Sequence, residues 1–270
     1  ENSRHAEITE VAAERQIHVM VEKPMAANLE QAKRMLKASQ KAGITLMINY
    51  PTSWWPAIRH AYTLAKEGRI GKIYMVRYRA AHKGPKEIGC SPYFYKWLYD
   101  AELNGAGALM DYCCYGAVKC RWILGVPEKV TAIGGTYIRD YLTVEDNAIL
   151  LMGYKKAVGI AEASWSQIGE GLPPRYTLIL NGGEGVIAAG MGLKLRICTS
   201  DEEGWKYLEV PKLKVGMRNG PEHFVTCIME DKPVDDMLSP VVNRDAQAIL
   251  EAGLISMRED RTVYLKELLE

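Results

Sequence analysis

No stretch of the chain approaches the roughly 18 uninterrupted apolar residues that a membrane-crossing helix needs. No basic start followed by an apolar middle marks a secretory leader, and no methionine opens the sequence. No Cys-x-x-Cys pair occurs among the six cysteines, Cys90, Cys113, Cys114, Cys120, Cys198 and Cys227, so a zinc site is not expected. Their mixed, largely apolar surroundings favour reduced thiols and a cytoplasmic protein. Net charge is nearly absent, +1 from 34 basic and 33 acidic residues. That leaves no strong field to favour nucleic acid or an anionic membrane as partner. Internal repeats and low-complexity segments are also missing.

What is present is ordinary for a globular chain: 270 residues, 48% hydrophobic and 25% charged, enough for one or two domains and a large core. The first fifty residues alternate helix and strand. Residues 4–15 suit a helix and 17–22 a strand. Residues 29–42 suit a helix with Asn28 as N-cap and Gly43 as C-cap, and 44–50 a buried strand. That alternation predicts parallel pairing. A helix over 56–67 and a turn at Gly68-Arg69-Ile70-Gly71 lead into a strand over 72–81. After a long loop, 82–95, and a helix at 106–124, strands dominate: 129–138, 144–153, 157–166, 175–181, 185–188, 193–198 and 206–210. Helices at 221–229 and 241–257 follow. The reading is α/β plus α+β, with a parallel unit over 1–71 and a larger unit over 72–270 built on a mainly antiparallel sheet.

The sharpest local feature is Ile17-His18-Val19-Met20-Val21-Glu22-Lys23-Pro24. A buried-type strand ends in a charged pair and a proline, which stops the ladder. Open α/β sheets build their sites at that carboxyl edge, although a plain surface Glu-Lys pair fits the same pattern. Asp111 and Tyr115 stand four apart on a predicted helix and share a face. A phenol ionises near pH 10, and a neighbouring ammonium lowers that value, so Lys23 and Tyr115 suit a proton relay to a substrate hydroxyl. A core tyrosine and a capping aspartate satisfy the pattern equally.

The Glu22-Lys23-Pro24 motif and the run Gly105-Ala106-Gly107-Ala108-Leu109-Met110-Asp111-Tyr112-Cys113-Cys114-Tyr115 together resemble the glucose-fructose oxidoreductase / inositol dehydrogenase / MocA family. The resemblance extends from residue 1 to near the C-terminus. It implies a nicotinamide-dependent oxidoreductase, using NAD or NADP, that acts on a sugar, polyol or related hydroxy compound. Lys23, Asp111 and Tyr115 would then be catalytic. Asn2, His5, Glu22, Lys23 and Asn49 would lie along the cofactor, with Glu22 on its ribose. Most family members carry His where this chain has Tyr115, and commonly Gly where it has Cys113. The tyrosine resembles the glucose-fructose oxidoreductase and dihydrodiol dehydrogenase branch.

Tyr50, at a strand end, and the paired Trp54 and Trp55 suit contact with a sugar ring; packing between domains suits the tryptophans equally. His82 leaves a strand toward the site, and Ser91–Trp97 forms an aromatic cluster suited to a lid. Lys155-Lys156 reads as an exposed hairpin turn. The first strand, glycine-rich turn and helix that hold a pyrophosphate have no counterpart upstream of Ile17. Gly105-Ala106-Gly107 follows a polar segment rather than a strand, and Gly182-Gly183-Glu184-Gly185 reads as a hairpin turn. The expectation is a Rossmann-type domain that lacks its front and binds dinucleotides weakly. Two alternatives stay open: a cofactor-free binding or assembly module, and a redox-assisted glycosidase with the same residues. Ile149, Leu151, Ile160 and Trp165 are expected on an open sheet face, which predicts a homodimer or higher homo-oligomer.

Overall fold

The computed structural model describes residues 1–169, 174–191 and 193–269. A 3-10 turn (Asn2–Arg4) runs into α1 (His5–Glu14). Strands β1 (Val19–Glu22) and β2 (Leu46–Asn49) pair in parallel, Val19 opposite Leu46 and Glu22 opposite Asn49. Between them lies α2 (Leu29–Ala42). Its start is fixed by Asn28, whose side chain accepts from Gln31 N–H at 2.9 Å, and its end by Gly43 at φ +66°. That backbone conformation suits glycine, which has no Cβ to clash. A 3-10 turn (Pro51–Trp54) precedes α3 (Pro56–Lys66).

The larger sheet starts with β3 (Ile73–Ala81). Two short helices, α4 (Pro92–Leu98) and α5 (Ala101–Asn104), then lead to a π-helical turn (Leu109–Cys113) that continues as α6 (Cys114–Leu124). Next come β4 (Lys129–Gly135), β5 (Asn147–Tyr154), β6 (Ala157–Ser164), β7 (Tyr176–Gly182), β8 (Gly185–Gly190), β9 (Leu193–Thr199) and the two-residue β10 (Lys206–Tyr207). Helices α7 (Gly220–Met229) and α8 (Pro240–Glu259), the short β11 (Val263–Tyr264) and α9 (Lys266–Leu269) complete the described chain. The strand order is β10-β9-β8-β7-β3-β6-β5-β4-β11. Every pair is antiparallel except β3 with β6.

One face of this sheet is covered. Helix α6 packs on β3 and β6, α8 on β4, and α3 on β7, β8 and β9. Helix α8 also reaches α2 and β2, so a single core joins the two sheets. Gly116 sets the distance between α6 and the sheet: a Cβ there would drive into Ala161 of β6.

Several expectations are corrected by these coordinates. Part of the expected loop over 82–95 is helical, because Pro92 starts α4 in the first-turn position that proline favours. The aromatic cluster therefore sits on a helix, where Tyr93 is almost fully exposed. The strand expected over 129–138 ends at Gly135, where the backbone amides of Tyr137, Ile138 and Arg139 turn to the buried Asp146 carboxylate. Helix α3, between the two units, packs on β7, β8 and β9 of the large sheet.

Trp165 is not on the open face. Ile160 and Trp165 are five residues apart, so strand alternation sends them to opposite sides. Trp165 is fully buried under the helices, whereas Ile149 and Leu151 stay exposed on the open face.

Candidate functional site

The carboxyl ends of β1 and β2 face the N-terminal end of the segment that becomes α6. Lys23 follows β1 directly and reaches across to Asp111. Its ammonium donates to the Asp111 backbone carbonyl at 2.9 Å and forms a short ion pair with Asp111 Oδ1. The other carboxylate oxygen, Oδ2, accepts from Trp165 Nε1 at 3.1 Å. Burial opposes the Lys23 charge, but the Asp111 carboxylate more than offsets it, so the ammonium is held above its ordinary range.

Asp111 lies inside the π-helical turn. Such wide turns are rare and recur at functional sites. The turn's lead-in is set by Gly105 at φ +99°, where any side chain would strike the Ala27 carbonyl. It is set also by Glu145, whose carboxylate accepts from the backbone amides of Gly107 and Leu109 at 2.8 Å each. The helix start that carries the Gly105-Ala106-Gly107 motif is thus capped by a carboxylate of the protein itself.

Tyr115 stands one turn beyond Asp111 and is nearly buried. Lys23 Nζ lies 5.0 Å from the centre of its ring, and no hydrogen bond joins the ammonium to the phenol. The expected lowering of the phenol's pKa is therefore absent. Burial pushes Tyr115 well above its ordinary value, leaving a neutral phenol. The other rings complete an aromatic wall. Tyr50 meets Tyr115 edge-on at 5.5 Å, and the Tyr112 and Tyr176 hydroxyls bond each other at 2.8 Å. Trp55 meets Tyr176 edge-on at 5.7 Å, and His82 meets Tyr112 at 4.8 Å. His82 Nδ1 accepts from Gly84 N–H at 2.9 Å, which leaves the ring proton on Nε2. Burial pushes this imidazole down to about 4, so it is neutral at pH 7.

The candidate residues divide. Lys23, Asp111, Tyr115, Trp55 and His82 converge on one wall. Tyr50 is only 1% exposed and supports Tyr115 from behind, so it offers no face to a substrate. Trp54 turns away from its neighbour: its Nε1 donates to Asn49 Oδ1 at 2.9 Å and its ring lies against His223. Asn49 Nδ2 in turn donates to Glu22 Oε1 at 2.6 Å. Asn2 is buried, its amide spent on Asn104 Oδ1 at 2.7 Å and on the Asn104 carbonyl at 3.0 Å. His5 is 3.3 Å from the Met25 carbonyl, beside the Lys23-Pro24 turn. Cys113 is fully buried, its thiol directed at the carbonyls of Ala148 and Ala161 between β5 and β6.

Residue-by-residue reading missed Tyr112, Tyr176, Trp165 and Lys119. Lys119 is the most unusual. It is 0% exposed, bonded to Thr52 Oγ1 at 3.0 Å, and 4.2 Å from the centre of the Tyr78 ring. Its signal was legible, since Asp111, Tyr115 and Lys119 recur every four residues in an otherwise apolar run.

Comparison with known proteins identifies the family. A model described as "Oxidoreductase family, NAD-binding Rossmann fold" matches residues 1–50, and one described as "GFO/IDH/MocA C-terminal domain" matches residues 58–188. The chain belongs to the GFO/IDH/MocA family. Among its relatives, D-apiose dehydrogenase of Paraburkholderia graminis is 23% identical over 278 residues, covering 98% of this chain and 71% of that protein. D-xylose 1-dehydrogenase [NADP(+)] of Haloarcula marismortui is 35% identical over 148 residues, 54% of this chain and 40% of that protein. The second of these is thus matched over less than half its length. Levoglucosan dehydrogenase in complex with NADH shares the fold with a TM-score of 0.83 at 23% identity, covering 98% of this chain and 77% of that one. An oxidoreductase from Agrobacterium radiobacter in complex with NAD+, L-tartaric acid and magnesium gives 0.82 at 20% identity, covering 100% and 79%. No helix among the described residues is long and apolar enough to cross a membrane.

Proposed function

We propose that this chain supplies the substrate side of a nicotinamide-dependent oxidoreductase site for a monosaccharide or a related hydroxy compound. The observation that carries the proposal is the Lys23–Asp111 pair with Tyr115 one helical turn away. A lysine ammonium has three donors. Two are spent on Asp111, one on its carboxylate and one on its carbonyl, which leaves one for a substrate oxygen. That cation stabilises negative charge developing on the oxygen. Asp111, held in turn by Trp165, orients the lysine. The Tyr115 phenol is the proton-transferring group: in the reducing direction it gives its proton to the carbonyl oxygen and is left as a phenolate beside the Lys23 ammonium, and in the reverse direction that phenolate takes the proton of the substrate hydroxyl. Trp55, Tyr112 and Tyr176 offer ring edges and hydroxyls to a sugar, and His82 lends the wall a neutral imidazole.

The residues present suit one end of a nicotinamide dinucleotide. Glu22 is an exposed carboxylate at the end of β1, bonded by Asn49 and followed directly by Lys23, and His5 lies against the Met25 carbonyl just beyond. A bound nicotinamide supplies the hydride acceptor or donor. The other end of the dinucleotide is not matched. Among the described residues no glycine-rich turn joins a parallel strand to a helix, and Glu145 occupies the amides at Gly107 and Leu109. A second reading, a sugar-binding module, rests on the aromatic wall of Trp55, Tyr112 and Tyr176 rather than on the Lys23–Asp111 pair.

Turnover of aldoses at millimolar NAD+ or NADP+, read beside sugar-induced changes in tryptophan fluorescence, tests both. Tyr115→Phe is expected to lower turnover by about two to four orders of magnitude and to leave the fluorescence titration in place. Turnover indifferent to Tyr115→Phe removes the first reading. Sugar binding with no turnover at all selects the second.

A further inference from the structure

The Lys155-Lys156 turn has no part in the site above, yet it does not stand alone. It borders a cavity of about 630 Å³ formed by the C-terminal ends of α3 and α6, the start of β3 and the β5–β6 hairpin. Four lysines line it: Lys66, Lys72, Lys155 and Lys156. Glu128 is the one carboxylate on its wall, and no ion pair among the described residues engages any of the four lysines. On a chain whose charges sum to only +1 overall, this is a local excess of positive charge. Helix geometry accounts for Lys66, which sits in the last turn of α3 where a cation meets the negative end of the helix dipole. It does not account for Lys72, ahead of β3, or for the two turn lysines.

The interior of the cavity is not a bare patch of charge. Tyr62 and Trp122 stack with ring centres 3.5 Å apart and planes 23° apart, and Lys66 Nζ lies 5.5 Å from the Tyr62 ring. Tyr154 contributes a hydroxyl that is buried and has no hydrogen-bond partner among the described residues. A buried, unpaired donor is costly unless a ligand or ordered water meets it. The volume falls within the span typical of small-molecule sites.

We infer that this cavity binds a phosphorylated, ring-bearing small molecule, a sugar phosphate or a nucleoside monophosphate. The lysines of the rim take the phosphate, the Tyr62–Trp122 pair packs against the ring, and the Tyr154 hydroxyl donates to a ring or ester oxygen. An inorganic anion would use the lysines and leave the aromatic floor and the phenol idle. The cavity is lined by none of the residues of the Lys23–Asp111 site, so this inference stands whether or not the proposed dehydrogenase chemistry does.

Calorimetry of the 270-residue chain at low salt, with glucose 6-phosphate, adenosine 5′-monophosphate and inorganic phosphate as probes, decides it. The expected result is saturable, submillimolar binding of at least one ester, about tenfold or more tighter than inorganic phosphate. The Lys72→Ala/Lys156→Ala double variant is expected to weaken that binding by about tenfold or more, and Tyr154→Phe by a few-fold, with unchanged circular dichroism and melting temperature. Lys23→Ala is expected to bind as the parent does. The inference is overturned if neither ester binds at millimolar concentration, or if all three probes bind equally. It is overturned also if Lys23→Ala abolishes binding that the double-lysine variant retains, which would assign the ligand to the first site. A single-stranded oligoadenylate binding far tighter than the mononucleotide would make the cavity part of a nucleic-acid surface and overturn it too.

Discussion

Lys119 donates to the Thr52 hydroxyl at 3.0 Å, and no carboxylate among the described residues forms an ion pair with it. This contact ties the loop that carries Trp55 to the helix that carries Asp111 and Tyr115. Burial pushes the ammonium down to about 7, against roughly 10.4 in an unfolded chain. Between those values the unfolded chain binds more protons than the folded one, so this group makes stability rise with pH from about 7 toward 10. Below pH 7 it is charged in both states and contributes no slope. Lys119→Met removes the burial cost and the slope together. We expect the variant to be more stable than the parent at pH 6, by on the order of 2 kcal/mol after the lost Thr52 bond is counted. The gap should narrow by pH 9. Urea midpoints at both pH values check it; a gap that stays constant with pH would show that Lys119 is not titrating as described.

Asp111→Asn should destabilise the fold by about 3–5 kcal/mol, because it leaves the Lys23 ammonium partly buried beside a neutral amide. Trp165→Phe removes one donor to the same carboxylate and should cost only about 1 kcal/mol. Equilibrium urea unfolding ranks the two. Equal effects would mean that the ion pair contributes no more to the junction than the Trp165 contact does.

The 270-residue chain on its own should bind NAD+ and NADP+ no tighter than millimolar. The amides of Gly107 and Leu109, at the start of the turn that carries Asp111, are already bonded to Glu145 and are not free for a phosphate. Titration calorimetry reads this directly, and micromolar affinity for either dinucleotide would refute it.

The open sheet face should pair two copies of the chain. Ile133 is 70% exposed and lies opposite Ile149, and Leu151 lies opposite Ile160. Beside this strip Glu162 pairs with Arg77 at 3.1 Å and with Arg79 at 3.2 Å. An apolar strip edged by charges suits a two-fold, self-complementary contact. Sedimentation velocity at micromolar concentration should report a dimer or a larger closed oligomer, and Ile149→Asp should shift it toward monomer. A monomeric parent chain would end the idea.

Much of this was legible in the sequence wherever the governing distance is short along the chain. Asp111 and Tyr115 share a face because a helix repeats every 3.6 residues, and the same repeat carries Lys119. The edge position of Lys23 followed from the strand that ends at it. Strand parity separates Ile160 from Trp165, a division already legible in their odd spacing. The rest depended on contacts between distant segments. Tyr176 reaches Tyr112 only because β7 pairs beside β3. Glu145 meets Gly107 across an intervening strand and helix. Nothing in Trp54-Trp55 says that one ring faces Tyr176 and the other His223; a short 3-10 turn decides it.

One carboxylate takes a contact from each of the two sheets. Lys23 comes to Asp111 from the end of the parallel pair, and Trp165 comes to it from just past β6 of the large sheet. Asp111 thereby acts as a gauge of how the sheets are set against each other. A change far from the substrate wall that shifts one sheet against the other would tilt one arm of the gauge and not the other. Reactivity at Lys23 would then change without any of its neighbours being replaced, because the carboxylate that positions it answers to both sheets.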